Sequence, residues 1–275
     1  MAPPHLRVWE PGVYVQDDWH IARNLTLNLG LRYDLYTPYT EIQDRISTWN
    51  PVTATLQIAG QNGISNSAGI ATDYHGLAPR IGFAYTAAPG FVIRGGFGIG
   101  YFPMNTTSNA NMKDPPFADT LTACGYTSCG TSYANDPAQY TTFADGLPPI
   151  GVLPPSTPVS TILAAPGASI PDAVSPTYRT SYIEQFNLTL QKDWSGNVLT
   201  ASYVGLLGRQ LMQLLPDLNA PPPNTSATPN TLRPYYSKYP NLGTIGFMQS
   251  GGVSNYNSLQ TSFAVSYTHL RHCAL

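Results

Sequence analysis

The stretch Leu25-Thr-Leu-Asn-Leu-Gly-Leu-Arg-Tyr-Asp34 alternates apolar and polar residues without a break. Successive side chains on a β-strand point to opposite faces, so Leu25, Leu27, Leu29, Leu31 and Tyr33 share one side, with Thr26, Asn28, Gly30, Arg32 and Asp34 on the other. About ten residues is also what a tilted strand needs to cross a bilayer. The pattern predicts a strand with one face for lipid and one for water.

Six further segments carry the same signal: residues 13–19, 77–85, 91–101, 182–191, 198–205 and 259–267. In 77–85, Leu77, Pro79, Ile81, Phe83 and Tyr85 oppose Arg80, Gly82 and Ala84. In 91–101, Phe91, Ile93, Phe97, Ile99 and Tyr101 oppose Arg94, Gly96, Gly98 and Gly100. Phe186, Leu188 and Leu190 oppose Asn187, Thr189 and Gln191, while Leu199, Ala201 and Tyr203 make a weaker apolar row. Leu259, Thr261, Phe263, Val265 and Tyr267 form the last row.

What separates these segments alternates between short and long. Links at 20–24, Ala88-Pro-Gly90 and 193–197 are turn-sized, whereas 36–75 and the Pro-, Ser-, Thr- and Gly-rich stretch to about residue 178 are long. So much irregular chain is unusual in a compact soluble domain and ordinary in an outer-membrane barrel, where short turns face the periplasm and long loops the exterior. The expected fold is therefore all-β: an antiparallel up-and-down transmembrane β-barrel, incomplete at about seven strands, with long extracellular loops and no helix. Residues 1–10 read as an irregular lead-in, 11–267 as partial barrel and 268–275 as a non-native tail.

Composition agrees. Only 10% of the 275 residues are charged, against roughly 25% in soluble domains, and 18 tyrosines, 24 glycines and 26 prolines suit interfacial aromatics and turn-rich loops. No apolar run is long enough for a membrane-crossing helix. A net charge of −2 with no basic stripe argues against nucleic acid. The opening Met-Ala-Pro-Pro-His-Leu-Arg-Val-Trp9 has no basic segment followed by an apolar stretch and cleavage site, so the chain is expected to be a piece of a longer protein.

Candidate chemistry is sparse. The five histidines are scattered, no nucleophile stands beside a base, and neither enzyme activity nor a cofactor is expected. Cys124 and Cys129, close together in a polar stretch, suggest a loop disulfide in an oxidising compartment; a zinc site would need further ligands nearby. His269, His272 and Cys273 sit in the tail and are set aside as a metal cluster. The run Gly95-Gly-Phe-Gly-Ile-Gly100 is not a phosphate loop, because its glycines alternate on a strand and no helix follows. Inward Gly96, Gly98 and Gly100 instead clear space for a neighbouring backbone.

Trp19, Tyr33, Tyr85, Tyr101, Trp194, Tyr203 and Tyr267 are candidates for an interfacial aromatic girdle, the alternative being ordinary turn-flanking aromatics. Arg32, Asp34, Arg80 and Arg94 must face the lumen, since an arginine facing lipid near the midplane costs about 2–4 kcal/mol. There they line a functional path, or simply solvate the lumen and pair with each other.

Several of these segments resemble a known family. Tyr14-Val-Gln-Asp-Asp-Trp19 followed by the alternating decapeptide, Ala78-Pro-Arg-Ile-Gly-Phe-Ala-Tyr85, Ile93-Arg-Gly-Gly-Phe-Gly-Ile-Gly-Tyr101, Glu184-Gln-Phe-Asn-Leu-Thr-Leu-Gln191 and Ala201-Ser-Tyr-Val-Gly205 resemble the barrel of TonB-dependent outer-membrane receptors. The resemblance is strongest to the Oar-like group, which carries a carboxypeptidase-regulatory-like domain upstream. It implies a bacterial outer-membrane location, more strands, an N-terminal plug, a short TonB-contacting box and energised uptake of a scarce siderophore, carbohydrate or peptide. Outer-membrane lipid, the receptor's own plug and the TonB complex are the implied partners, and the four lumen charges would contact the plug or line the ligand path. A passive porin-like or adhesive barrel is the competing expectation; a secreted β-sandwich would need more regular turn spacing. The end Val265-Ser-Tyr-Thr-His-Leu-Arg271 resembles translated read-through of a sequencing adapter, departing from it at His272-Cys273.

Overall fold

A computed structural model describes residues 5–103, 112–118, 154, 156–165, 168–223 and 230–265. In chain order it contains β1 (Leu6–Arg7), β2 (Gly12–Ala22), β3 (Leu25–Asp34), β4 (Thr40–Glu41), β5 (Ser47–Asn50), β6 (Thr55–Ile58), β7 (Leu77–Ala88), β8 (Phe91–Phe102), α1 (Val159–Ala164), β9 (Ile170–Val174), β10 (Ser181–Trp194), β11 (Asn197–Leu215) and β12 (Ile245–Val265). One sheet dominates, in the order β2-β3-β7-β8-β10-β11-β12-β9. The seven segments read from alternation are its first seven strands, each antiparallel to the next.

Register carries the alternation from strand to strand. Leu29 lies opposite Ile81, Ile81 opposite Phe97, and Phe97 opposite Phe186, making one apolar row. One residue along, Gly30, Arg80, Gly98 and Gln185 make a polar row on the other face. A slip of one residue in any ladder would exchange the faces, so the continuous rows fix the sheet as two-sided. The apolar face is not uniform: Asp17 stands in it opposite Leu29, and Glu184 opposite Ile99 and Leu207.

Tight turns join the hairpins at the ends away from the long loops. Between β10 and β11, Ser195 and Gly196 both adopt positive φ, 52° and 80°, the condition for a turn whose twist matches the flanking strands. Between β7 and β8, Pro89 sets the first turn position and Gly90, at φ 68°, the second. The sheet is open. β2 is exposed along its whole length, and β12 pairs with β9 only near its start, so both edges present unpaired backbone groups of the kind that recruit further strands.

Two strands run well beyond their sequence reading: β11 has 19 residues against the expected 198–205, and β12 has 21 against 259–267. Their ladder shifts register between Gly208 and Leu211 and again between Leu211 and Met212, with Gln210 at φ 49°. Such a bulge adds a residue to one strand and resets which face each side chain takes, which erases a period-two signal. Tyr267 and the tail lie outside the described residues.

The long loops are not structureless, and the expectation of no helix needs correction. Within 36–75, β5 and β6 form a hairpin, and Thr40 and Glu41 pair with Arg7 and Leu6 of the lead-in. The six-residue helix α1 and one 3-10 turn, Asn230–Leu232, follow later in the chain. Together these pieces make a cap with the driest packing among the described residues. Trp49, Leu56, Ile58, Ile162, Leu163, Ile170, Ile245 and Phe247 form one buried cluster; Ile46, Ile70, Met112, Val174 and Met248 belong to a second. The Thr48 hydroxyl ties the hairpin to β9, donating to the Val174 carbonyl and accepting from its N–H, both at 2.7 Å.

Glu41 pins one corner of the cap. Its buried carboxylate takes both an N–H and the guanidinium of Arg45, at 2.7 Å for the closer pair, and the N–H groups of His5 and Gln43. The Arg45 bonds, helped by those backbone donors, hold its carboxyl down at about 2 against an ordinary 4.5. A pKa lowered by folding contributes stability that is complete above the unfolded value and lost as the pH falls through the folded one. The hydrogen-exchange protection of 40–47, with the intrinsic pH dependence of amide exchange divided out, is therefore expected to be constant above about pH 5 and to fall between about 4.5 and 2. In Glu41→Gln that acid limb should disappear.

Candidate functional site

The polar face of the sheet is the concave one. It encloses a hollow of about 740 Å³ walled by Gln16, Asn28, Arg80, Gln185, Asn187, Thr189, Ser202 and Gln260, with Gly30, Gly82, Gly96 and Gly98 at its floor. The residues Leu29, Ile81, Phe97 and Phe186 also border it. Its polar groups are mainly side-chain amides and hydroxyls, which both donate and accept hydrogen bonds, and Val204 and Leu206 add apolar wall on the same face. Thr189 and Ser202 bond across β10 and β11 at 2.9 Å, and Asn28 donates to Asp18 at 2.6 Å.

Part of the floor is bare with no reason for it among the described residues. Gly82 faces Gly96 across the β7–β8 ladder. A side chain added at Gly98 would meet its neighbours at ordinary distances, and at Gly100 it would meet nothing within 4 Å among the described residues. Packing among the described residues thus does not require these two glycines. On the opposite face the logic reverses: added side chains at Gly95 and Gly205 would collide with the rings of Phe83 and Phe186, which lie across the strand and cover them.

All four charges expected in the lumen stand on the concave-face rows. Arg80 walls the hollow. The Arg32 Nε donates to Asp34 Oδ2 at 2.6 Å, a two-residue spacing that keeps both on one face. Arg94 donates to Gln191 Oε1 at 3.2 Å. Arg32 and Arg94 are thus paired with neighbours, while Arg80 faces open space between two glycines.

The aromatics occupy the other face. Toward the loop end, the Tyr33 hydroxyl donates to the Tyr74 carbonyl and that of Tyr101 to the carbonyls of His75 and Leu77, so their polar tips grip the base of the cap. Toward the turns, Trp19 is exposed, Tyr85 pairs with Leu25 and Ile93, and Trp194 leans on Phe263 at 6.0 Å between ring centres. Tyr203 stands inside β11, away from either end, and its hydroxyl donates to Asn257 at 2.8 Å. Large apolar side chains in these rows, Leu31, Ile81, Leu188, Leu259 and Phe263 among them, are exposed; no dry centre gathers them.

The cap supplies functional candidates that sequence reading missed. Three buried polar atoms among the described residues have no hydrogen-bond partner: Trp49 Nε1, Gln57 Oε1 and Asp114 Oδ2, all in the cap. Burial pushes the Asp114 carboxyl well above the ordinary range, opposed in part by the Asp172 N–H, which donates to its Oδ1 at 2.8 Å. Beside β6 opens a cleft of about 380 Å³ bordered by the turn after it and the start of α1. The Asn-Pro dipeptide at 50–51 is a turn signal between two short alternating runs and was the available clue to this hairpin. Among the described residues no group of three His, Cys, Asp or Glu could hold a metal ion. Cys124, Cys129, His269, His272 and Cys273 lie outside those residues.

Comparison with known proteins places this geometry. The profile of a family described as an outer membrane beta barrel domain matches residues 2–270. No curated protein matches the chain. Similar solved structures include the siderophore receptor PirA from Pseudomonas aeruginosa, at 8% identity and TM-score 0.40, over 92% of this chain and 28% of that one. A mutant of the ferric enterobactin receptor PfeA from the same organism gives 8% and 0.42, over 93% and 24%. The alcaligin receptor FauA from Bordetella pertussis gives 10% and 0.37, over 94% and 27%. The chain spans about a quarter of the length of these three receptors.

Proposed function

This chain belongs to the outer membrane β-barrel domain family and resides in the bacterial outer membrane, and from that premise we propose that it forms part of the wall of a TonB-dependent transporter. The motifs at 14–19, 78–85 and 93–101 support that class, and within it the Oar-like group. The cargo is a scarce ligand captured by the external cap and passed along the concave wall when the inner-membrane complex pulls on a plug. The chain's own part is to bind, orient and line; it makes and breaks no covalent bond.

One observation carries the reading. A passive pore tunes its lumen with side chains, but here the wall is stripped to backbone along Gly82, Gly96, Gly98 and Gly100 although nothing in the described chain demands it at the last two. Glycine inside a strand weakens it, and the return is that another backbone can lie flat against the sheet. Arg80, between Gly30 and Gly98, is placed to hydrogen-bond such a backbone at its carbonyls.

Cysteine labelling tests this. In the complete protein in intact cells, Gly98→Cys and Gly100→Cys are expected to react slowly with a membrane-impermeant maleimide and to become fast when the upstream plug is deleted. Fast labelling in the complete protein would favour a passive or adhesive barrel.

A further inference from the structure

We infer that the cleft beside β6 is a binding site for a neutral oligosaccharide, which gives the proposed transporter its cargo class and rests on that reading. The cleft has three kinds of lining. Carboxamides come from Gln61 and Asn62, and hydroxyls from Ser160 and the mutually bonded Thr53 and Thr55, while the Gln57 Oε1 is sealed from the cleft. Ile64 and Val159 add an apolar patch, and Tyr239 an aromatic ring with a hydroxyl. Among the described residues no charged side chain lines it.

That set matches a sugar and fits other cargoes poorly. A sugar ring offers vicinal hydroxyls that donate and accept at once, and carboxamides and hydroxyls answer in kind; its C–H faces suit small apolar patches and an aromatic ring. An anionic chelate or phosphorylated ligand would call for arginine or lysine donors aimed into the cleft, whereas the Lys238 ammonium beside it is already bonded to the Thr53 and Ala54 carbonyls. The cleft's volume, about 380 Å³, lies within the span of roughly 300–1,000 Å³ usual for small-molecule sites.

The cleft is also preformed. Lys238 donates to the carbonyls of Thr53 and Ala54 at 3.2 and 3.0 Å, with its ammonium over the Tyr239 ring. Trp49 packs edge-on against Tyr235 and Tyr239. Leu56 and Ile58 of the cleft floor belong to the buried cluster. A rigid site loses less order on binding. The concave wall repeats the chemistry, with Arg80 the single charge among the amides and hydroxyls bordering the hollow.

Binding is read on intact cells that display the complete protein but lack TonB, so that energised uptake plays no part. The probes are fluorescein-labelled maltohexaose, cellohexaose, xylohexaose and chitohexaose, with labelled ferric enterobactin and pentaalanine as charged and peptide comparators. At least one oligosaccharide should be retained, about five- to tenfold more weakly by Asn62→Gly, which removes one amide while tolerating the positive φ of 50° at that position. Ser160→Trp, which fills the mouth from an exposed position, should abolish retention, surface display being checked with an antibody. No oligosaccharide retained, retention of ferric enterobactin or pentaalanine instead, or retention untouched by both variants would overturn the inference. Such failure leaves the transporter reading standing if cysteines at Gly98 and Gly100 remain plug-protected; loss of that protection alone removes the transporter and spares the sugar site.

Discussion

Arginine in place of Ile81 should destabilise the complete barrel in a bilayer by about 2–4 kcal/mol, the cost of a guanidinium facing hydrocarbon near the midplane. Ile81 sits between Leu29 and Phe97 in the middle of the apolar row and is exposed, so the substitution crowds no packed core and its effect reports the surrounding medium. One residue earlier the chain already carries Arg80, on the other face. Ser202→Arg, on the concave wall, is the matched control. It loses the bond to Thr189, worth about 1 kcal/mol, and its charge remains in water. Urea unfolding in lipid vesicles should separate the two variants by at least about 1 kcal/mol; in detergent the gap should shrink. Equal destabilisation would mean that both positions see the same surroundings.

Valine at Gly246 should open the cap and leave the wall intact. A side chain there runs into the Pro171 carbonyl on β9, and a backbone group cannot step aside as a flexible side chain can. β9 is held to β12 through Ile170–Ile245, Ala173–Phe247 and Val174–Met248, and the same residues fill both buried clusters. Overpacking of this kind costs about 1–3 kcal/mol. Hydrogen exchange should therefore speed up through 170–174 and 245–248, and in 47–58 through the Thr48–Val174 bonds, while β7 and β8 keep their protection. Unchanged exchange in the cap would show that β9 docks without close contact at Gly246.

The wall was legible in the sequence because its information is local and periodic. Five apolar residues at alternate positions of β3 name the lipid face without reference to any other segment, and Arg32, Asp34, Arg80 and Arg94 follow onto the other face by counting. Counting also fails where period two fails: past Gly208 the β11–β12 ladder shifts twice, and the upper half of each strand reads as loop. Of the cap, the Asn-Pro turn signal at 50–51 was legible and the packing was not. Its core takes Trp49 from one loop, Ile162 from another and Phe247 from the start of β12, so no window of sequence contains the pattern. Tyr203 shows a further limit. Its place in the apolar row follows from counting, but the bond from its hydroxyl to Asn257 of the neighbouring β12 does not, because the partner lies 54 residues further along the chain.

The alternation along Leu25–Asp34 can be read directly by attaching a nitroxide at each position in turn, in the complete protein in lipid vesicles, and comparing collision rates with oxygen and with a water-soluble nickel chelate. Lipid exposure favours oxygen and lumen exposure favours the chelate, so the two profiles should oscillate with a period of two residues and in opposite phase, oxygen peaking at Leu27, Leu29 and Leu31. Low access to both reagents at those leucines, or profiles that rise and fall together, would contradict a wall with hydrocarbon on one side and water on the other.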